Sequence, residues 1–123
     1  MSEFWTLEQR NGCNLAFVAD PDFRLGQPGS VEDLIGNGFG TGADYLVVTK
    51  TQLSEEFCHL RNGILGGVTQ KLVNYGLSVI FLGDFAPEIT ASDAFRDYVR
   101  EANKGRRFLF LKSLDDLAER QRA

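Results

Sequence analysis

Hydrophobic positions recur along this chain with two periods, two in some stretches and three to four in others, and the changes of period divide it into short elements. At the start, Phe4-Trp5-Thr6-Leu7 and Cys13-Asn14-Leu15-Ala16-Phe17-Val18 flank Asn11-Gly12. Asn-Gly supplies both positive-φ positions of a type I′ turn, so the two runs are expected to form an antiparallel hairpin. Asp20-Pro21-Asp22 then ends the second strand, because proline has no N–H to give to a ladder. In Ser30-Val31-Glu32-Asp33 a hydroxyl suited to capping precedes acidic residues, with Val31, Leu34 and Ile35 at helical spacing. Gly36, Gly38, Gly40 and Gly42 are expected to stop that helix.

Tyr45-Leu46-Val47-Val48-Thr49 is an unbroken apolar run rich in β-branched residues, as in a central strand covered on both faces. Beyond it, Ser54 is expected to cap a helical stretch with Phe57, Leu60, Ile64, Val68 and Leu72 on one side, which Asn62-Gly63 can break in two. Leu77 to Leu82 reads as the next strand, and Gly83-Asp84-Phe85 as the loop at its C-terminal end. Thr90 or Ser92 caps a helix carrying Phe95, Tyr98, Val99 and Ala102, with Gly105 placed as its C′ residue. Phe108-Leu109-Phe110-Leu111 is a last short strand, and Ser113-Leu114-Asp115-Asp116 opens a final helix. The order ββαβαβαβα predicts one α/β domain over residues 1–123. Its central sheet should be mostly parallel, with an N-terminal β-hairpin as the antiparallel pair and helices flanking it.

Composition narrows the function classes. The chain has 123 residues with 43% hydrophobic and 24% charged content, long enough to bury roughly two-thirds of its unfolded surface without staples. Net charge is −4 and uneven, since residues 1–61 hold 4 Lys/Arg against 9 Asp/Glu and residues 62–123 hold 9 against 8. Only Lys104, Arg106 and Arg107 cluster, so no nucleic-acid partner is expected. The beginning, MSEFWTLEQR, is not a secretory leader, and no apolar run approaches a membrane span, so the expectation is a soluble cytoplasmic protein with no membrane partner. Cys13 and Cys58 match neither a C-x-x-C pair nor a zinc set and read as reduced thiols.

Chemistry is sparse. Gly38-x-Gly40-x-x-Ala43 loosely fits a dinucleotide fingerprint, but it follows a helix and leads into a strand, the reverse of the order a pyrophosphate site needs. His59 is the sole histidine, and Cys58 beside it would point about 100° away on a helix, so neither a dyad nor a metal site is expected. No catalytic residue, metal ligand or cofactor is assigned. Arg96, Asp97, Arg100, Glu101 and Lys104 alternate in sign at helical spacing and read as a salt-bridged, solvated face. What remains is position, because ligands of open α/β sheets bind beyond the carboxyl ends of the parallel strands. Lys50, Ser54, His59, Arg61, Asn62, Lys71 and Asp84 are the candidate binding residues on that ground.

Phe57, Leu60 and Gly63 as F-x-x-L-x-x-G, followed by Gly66, Gln70-Lys71, Asn74-Tyr75, Gly83-Asp84-Phe85 and Glu101-x-Asn103-x-Gly105, give the chain a resemblance along nearly its whole length. It resembles a family of small bacterial proteins catalogued as domain of unknown function 4180. The family pattern has an acid where this chain has His59 and a hydroxyl where it has Asn62. The element order is also similar to that of STAS domains, found in sulfate transporters and anti-sigma-factor antagonists. There, a serine or threonine near the N-terminus of the helix after the third strand is phosphorylated to switch partners. The resemblance makes Ser54 the nearest hydroxyl, although the D-S-S-G-like segment is absent, the chain reading Cys58-His59-Leu60-Arg61-Asn62-Gly63. Two readings follow. One is a non-enzymatic, STAS-like regulatory or protein-interaction domain with a protein partner, working through the rim around Ser54, His59, Arg61, Asn62 and Asp84. The other is a small-molecule binder or small enzyme using Lys50, His59, Lys71 and Asp84. Self-association as a homodimer through apolar surface at Phe4, Trp5 or Phe23 stays open beside both.

Overall fold

Trp5–Arg10 (β1) and Cys13–Val18 (β2) pair antiparallel in the computed structural model, which describes residues 4–10 and 12–117. Arg10 lies opposite Cys13, so the hairpin closes through two residues; Gly12 has φ +81, and Asn11 lies outside the described residues. Three parallel strands follow, Tyr45–Thr49 (β3), Val79–Leu82 (β4) and Phe108–Leu111 (β5), and the sheet runs β1-β2-β3-β4-β5. The mixed sheet expected from the sequence is present, with the hairpin as its antiparallel pair.

A strictly sequential order has a consequence. Each parallel crossover steps the same way along the sheet, so right-handed connections put all the connecting helices on one face. Ser30–Gly38 (α1), Ile64–Asn74 (α2) and Asp93–Lys104 (α4) accordingly share one core with Ala16, Val18, Leu46, Val48, Val79, Phe81 and Phe110. Ala86–Ala91 (α3) precedes α4 and contributes half-buried Ile89 to it. Leu15, Val47, Ile80 and Leu109 form a second cluster on the opposite face, joined by Leu114 and Leu117. Helical residues 115–117 begin after Ser113, whose hydroxyl accepts from Asp115 N at 3.1 Å; the rest of that expected helix lies outside the described residues.

Four local expectations are corrected. Ser30 is inside α1, after Gly29 at its N-cap, and its hydroxyl instead donates to Gln27 O at 2.7 Å and accepts from Gly26 N at 2.9 Å. The helix expected from Ser54 starts only at Ile64, where Gly63 at φ +75 caps it. Leu53 bridges to Leu25, Ser54 N donates to Leu25 O, and two single 3-10 turns, Lys50–Gln52 and Leu60–Asn62, occupy the interval. Strand β4 begins at Val79, two residues later than Leu77. Gly105 ends α4 at φ −88, an extended conformation that requires no glycine.

Candidate functional site

An aromatic cluster roots the rim at the carboxyl ends of β3 and β4. Phe81 is fully buried, stacks on Phe110 at 4.7 Å and contacts Phe57 at 5.6 Å; Phe110 also meets Phe85 edge-on at 5.3 Å. Phe57 belongs to the segment after β3 and Phe85 to the segment after β4. Both loops are thus pinned by rings whose removal costs roughly 3–5 kcal/mol each.

On that base the two strand ends cross closely. A Cβ on Gly83, which has φ +156, would stand 2.6 Å from Lys50 Cβ, so only glycine admits the lysine there. Lys50 Nζ then donates to Asp84 O and to Glu88 Oε1, each at 2.8 Å, and sits 5.6 Å above the Phe85 ring. Asp84 turns its own carboxylate away, and its Oδ1 accepts from Ala86 N at 3.0 Å, the first N–H of α3. Behind Lys50, buried Gln52 holds the ends of β2 and β3 together by donating to Val18 O and Asp20 O at 2.9 Å while accepting from Thr49 N at 3.0 Å.

Next to this crossing, the turn 56–62 and the start of α4 form the walls of an open groove of about 630 Å3. Cys58, His59, Leu60 and Arg61 face Ala91, Ser92, Asp93 and Ala94 across it. Asn62 shapes one wall, its amide donating to Glu56 O and accepting from Ile64 N, both at 2.9 Å. Ser92 shapes the other as the N-cap of α4, accepting from Phe95 N at 3.1 Å. His59 and Arg61 are exposed, and the Arg61 guanidinium forms no ion pair among the described residues. Half-buried Cys58 has its thiol pushed up to about 11, by burial first and then by the Glu88 carboxylate, with Lys50 opposing. Such a thiol stays protonated at neutral pH and is a poor nucleophile.

The sequence-derived residues therefore separate. Lys50 and Asp84 meet at the strand crossing, and His59, Arg61 and Asn62 share the groove. Lys71 is elsewhere, pairing with Glu32 across α1 and α2 and holding that carboxyl below its usual range. Ser54 lines a separate hollow with Gly26 and Pro28; its hydroxyl is buried and has no hydrogen-bond partner among the described residues. Glu88 and Gln52 are contributors that sequence reasoning missed. Pro87 near a helix start, two residues after a loop ending in Asp84-Phe85, was the available signal for α3 and hence for Glu88. No group of three or more His, Cys, Asp or Glu among the described residues is arranged to hold a metal ion, and none of their helices is long and apolar enough to cross a membrane.

Several positions carrying the family resemblance acquire physical roles here. Gly63 caps α2, Gly83 admits Lys50, Asp84 accepts from the first N–H of α3, and Asn103 bonds to the backbone of Phe110 on the free edge of β5. No curated protein and no solved structure matches the chain significantly. The sequence profile of the family described as Domain of unknown function (DUF4180) matches residues 10–121, nearly the full length, and the chain belongs to that family.

Proposed function

We propose that this protein is a non-enzymatic, STAS-like interaction domain that regulates a protein partner by binding it in the groove between the turn 56–62 and α4. One observation carries the reading: at the strand ends, where a ligand of an open α/β sheet would bind, the polar groups are already spent on one another. Lys50 is occupied by Asp84 O and Glu88, and Asp84 by Ala86 N. In the neighbouring groove Asn62, Ser92 and Asp93 are bonded internally as well, but the Arg61 guanidinium is left over. Leu60, Ala91 and Ala94 offer an apolar seat, and Arg61 is an exposed guanidinium that forms no ion pair among the described residues. The occupant that fits is a polypeptide segment placing an apolar side chain there with a carboxylate beside it.

The STAS parallel extends to element order and to the use of this rim, and not to a phosphorylated serine at Ser54, whose hydroxyl is inaccessible. The small-molecule or enzyme alternative would need Lys50 and Asp84 to release their present bonds. A photo-crosslinking side chain placed at Arg61 tests the proposal in the producing cell, with one at Lys104 on the outer face of α4 as control. A discrete adduct with another protein from position 61 only is expected. No adduct, or the same adducts from both positions, overturns the proposal, as does turnover of small substrates by the purified chain at enzyme-like rates.

A further inference from the structure

The two edges of the sheet differ. On β5 the Asn103 side chain fills the backbone positions of Phe110, accepting from its N–H at 2.8 Å and donating to its C=O at 3.2 Å. On β1 no hydrogen bond among the described residues reaches the outer side of the strand. The hairpin register fixes which groups are exposed there. Arg10 and Cys13 close the two-residue turn, so the pairs that exchange backbone bonds are Arg10 with Cys13, Glu8 with Leu15 and Thr6 with Phe17. The bond from Ala19 N to Phe4 O, 2.9 Å, continues the same alternation. Trp5, Leu7 and Gln9 therefore turn their N–H and C=O outward. At the centre of this row, Leu7 is 63% exposed, more than any other large apolar side chain described.

We propose that β1 pairs antiparallel with β1 of a second copy about a twofold axis at Leu7, joining two five-stranded sheets into one. The charges and the length of the strand select this register. With the axis at Leu7, Leu7 meets Leu7, Trp5 lies opposite Gln9, and Thr6 lies opposite Glu8, where a hydroxyl can donate to a carboxylate, twice by symmetry. An axis at Glu8 would set two carboxylates face to face. An axis at Gln9 would run Leu7 onto the turn, and one at Thr6 would run Gln9 beyond the start of the strand. Pairing at Leu7 also covers the exposed apolar side chain at the middle of an unprotected edge, the feature that most invites another strand. The contact lies on the hairpin, away from the groove, so it stands or falls independently of the partner proposed there.

Sedimentation velocity on the full chain at about 50 μM should give twice the 13.7 kDa mass of one chain. Leu7→Lys should weaken association at least about tenfold while its circular dichroism stays unchanged. Opposed residues in a bonded antiparallel pair have Cα atoms about 5.5 Å apart, within disulfide reach. Leu7→Cys in a Cys58→Ser background should consequently cross-link to itself under mild oxidation, and Gln9→Cys should not. A monomeric wild type, a Leu7→Lys variant that remains a dimer, or self-cross-linking through Gln9→Cys and not Leu7→Cys each overturns the proposal.

Discussion

Replacing Ser54 by alanine should stabilise the protein, the opposite of what a capping role requires. The hydroxyl is buried with no hydrogen-bond partner among the described residues, and an unpaired buried polar group costs roughly 1–3 kcal/mol. Alanine removes that cost and leaves a one-atom void worth about 1 kcal/mol. The net is a gain of about 1 kcal/mol, which for a chain of this length raises Tm by about 4 °C. Had Ser54 capped a helix, its loss would cost about 1 kcal/mol and lower Tm by a similar amount, so the readings differ in sign. Thermal denaturation followed by circular dichroism, with urea midpoints alongside, separates them, and a fall in Tm of 2 °C or more would refute the burial argument. Gly26 supplies a second arm. A Cβ there would lie 2.4 Å from Ser54 Oγ, at a φ of +110. Gly26→Ala should therefore be markedly less damaging in the Ser54→Ala background, with a coupling of at least about 1 kcal/mol; additivity within about 0.5 kcal/mol would mean that the hydroxyl does not face Gly26.

Gly83→Ala should cost about 3–5 kcal/mol, from strain at φ +156 together with overlap against Lys50 Cβ, and lower Tm by more than 10 °C, whereas Gly105→Ala, at φ −88, should stay near the wild type. Cys58 should react with iodoacetamide at pH 8 about a hundredfold more slowly than an open thiol, because its folded pKa is about 11 against an ordinary 9.0. Its folded pKa is raised, so the unfolded chain loses the proton first as pH rises. Stability should be intact below pH 9 and fall between 9 and 11, a fall that Cys58→Ala reduces in urea titrations. Asn103→Ala strips both bonds from Phe110 and should cost about 1–2 kcal/mol by urea denaturation, with turbidity that rises with protein concentration as the β5 edge opens.

Strands and their pairing were legible because apolar runs such as Tyr45–Thr49 and Phe108–Leu111 have few alternatives, and because Asn-Gly specifies a hairpin. The segment before α2 misled for a definite reason. Phe57 and Leu60 keep the helical spacing of Ile64, Val68 and Leu72 because all five face one core, and a 3-10 turn satisfies that demand as well as an α-helix does. What decides between them is distant, the bridge from Leu53 to Leu25 and the positive φ of Gly63. Of the candidate site, the strand-end rule found Lys50 and Asp84 but not that Lys50 bonds both Asp84 O and Glu88, the latter on a six-residue helix that the apolar spacing does not announce. Lys71 was included as a polar group near the strand ends, yet its partner is Glu32 on a neighbouring helix.

These features share one cause in the strand order. Sequential addition of strands places the connecting helices on a single face, so the opposite face, with Leu15, Val47, Ile80 and Leu109, depends on the chain after β5 to bring Leu114 and Leu117 across it. The same order leaves two edges far apart in sequence, and the chain treats them differently. The last strand is guarded by the helix that immediately precedes it, since α4 ends beside β5 and Asn103 lies within one turn of that end. The first strand is joined to the sheet by a two-residue turn, and a tight hairpin contributes no helix that could lend it a similar guard. Among the described residues the edge at β1 is thus left without the guard that α4 gives β5, and charge, as with Glu8 and Arg10, or a specific partner can keep such a strand from aggregating.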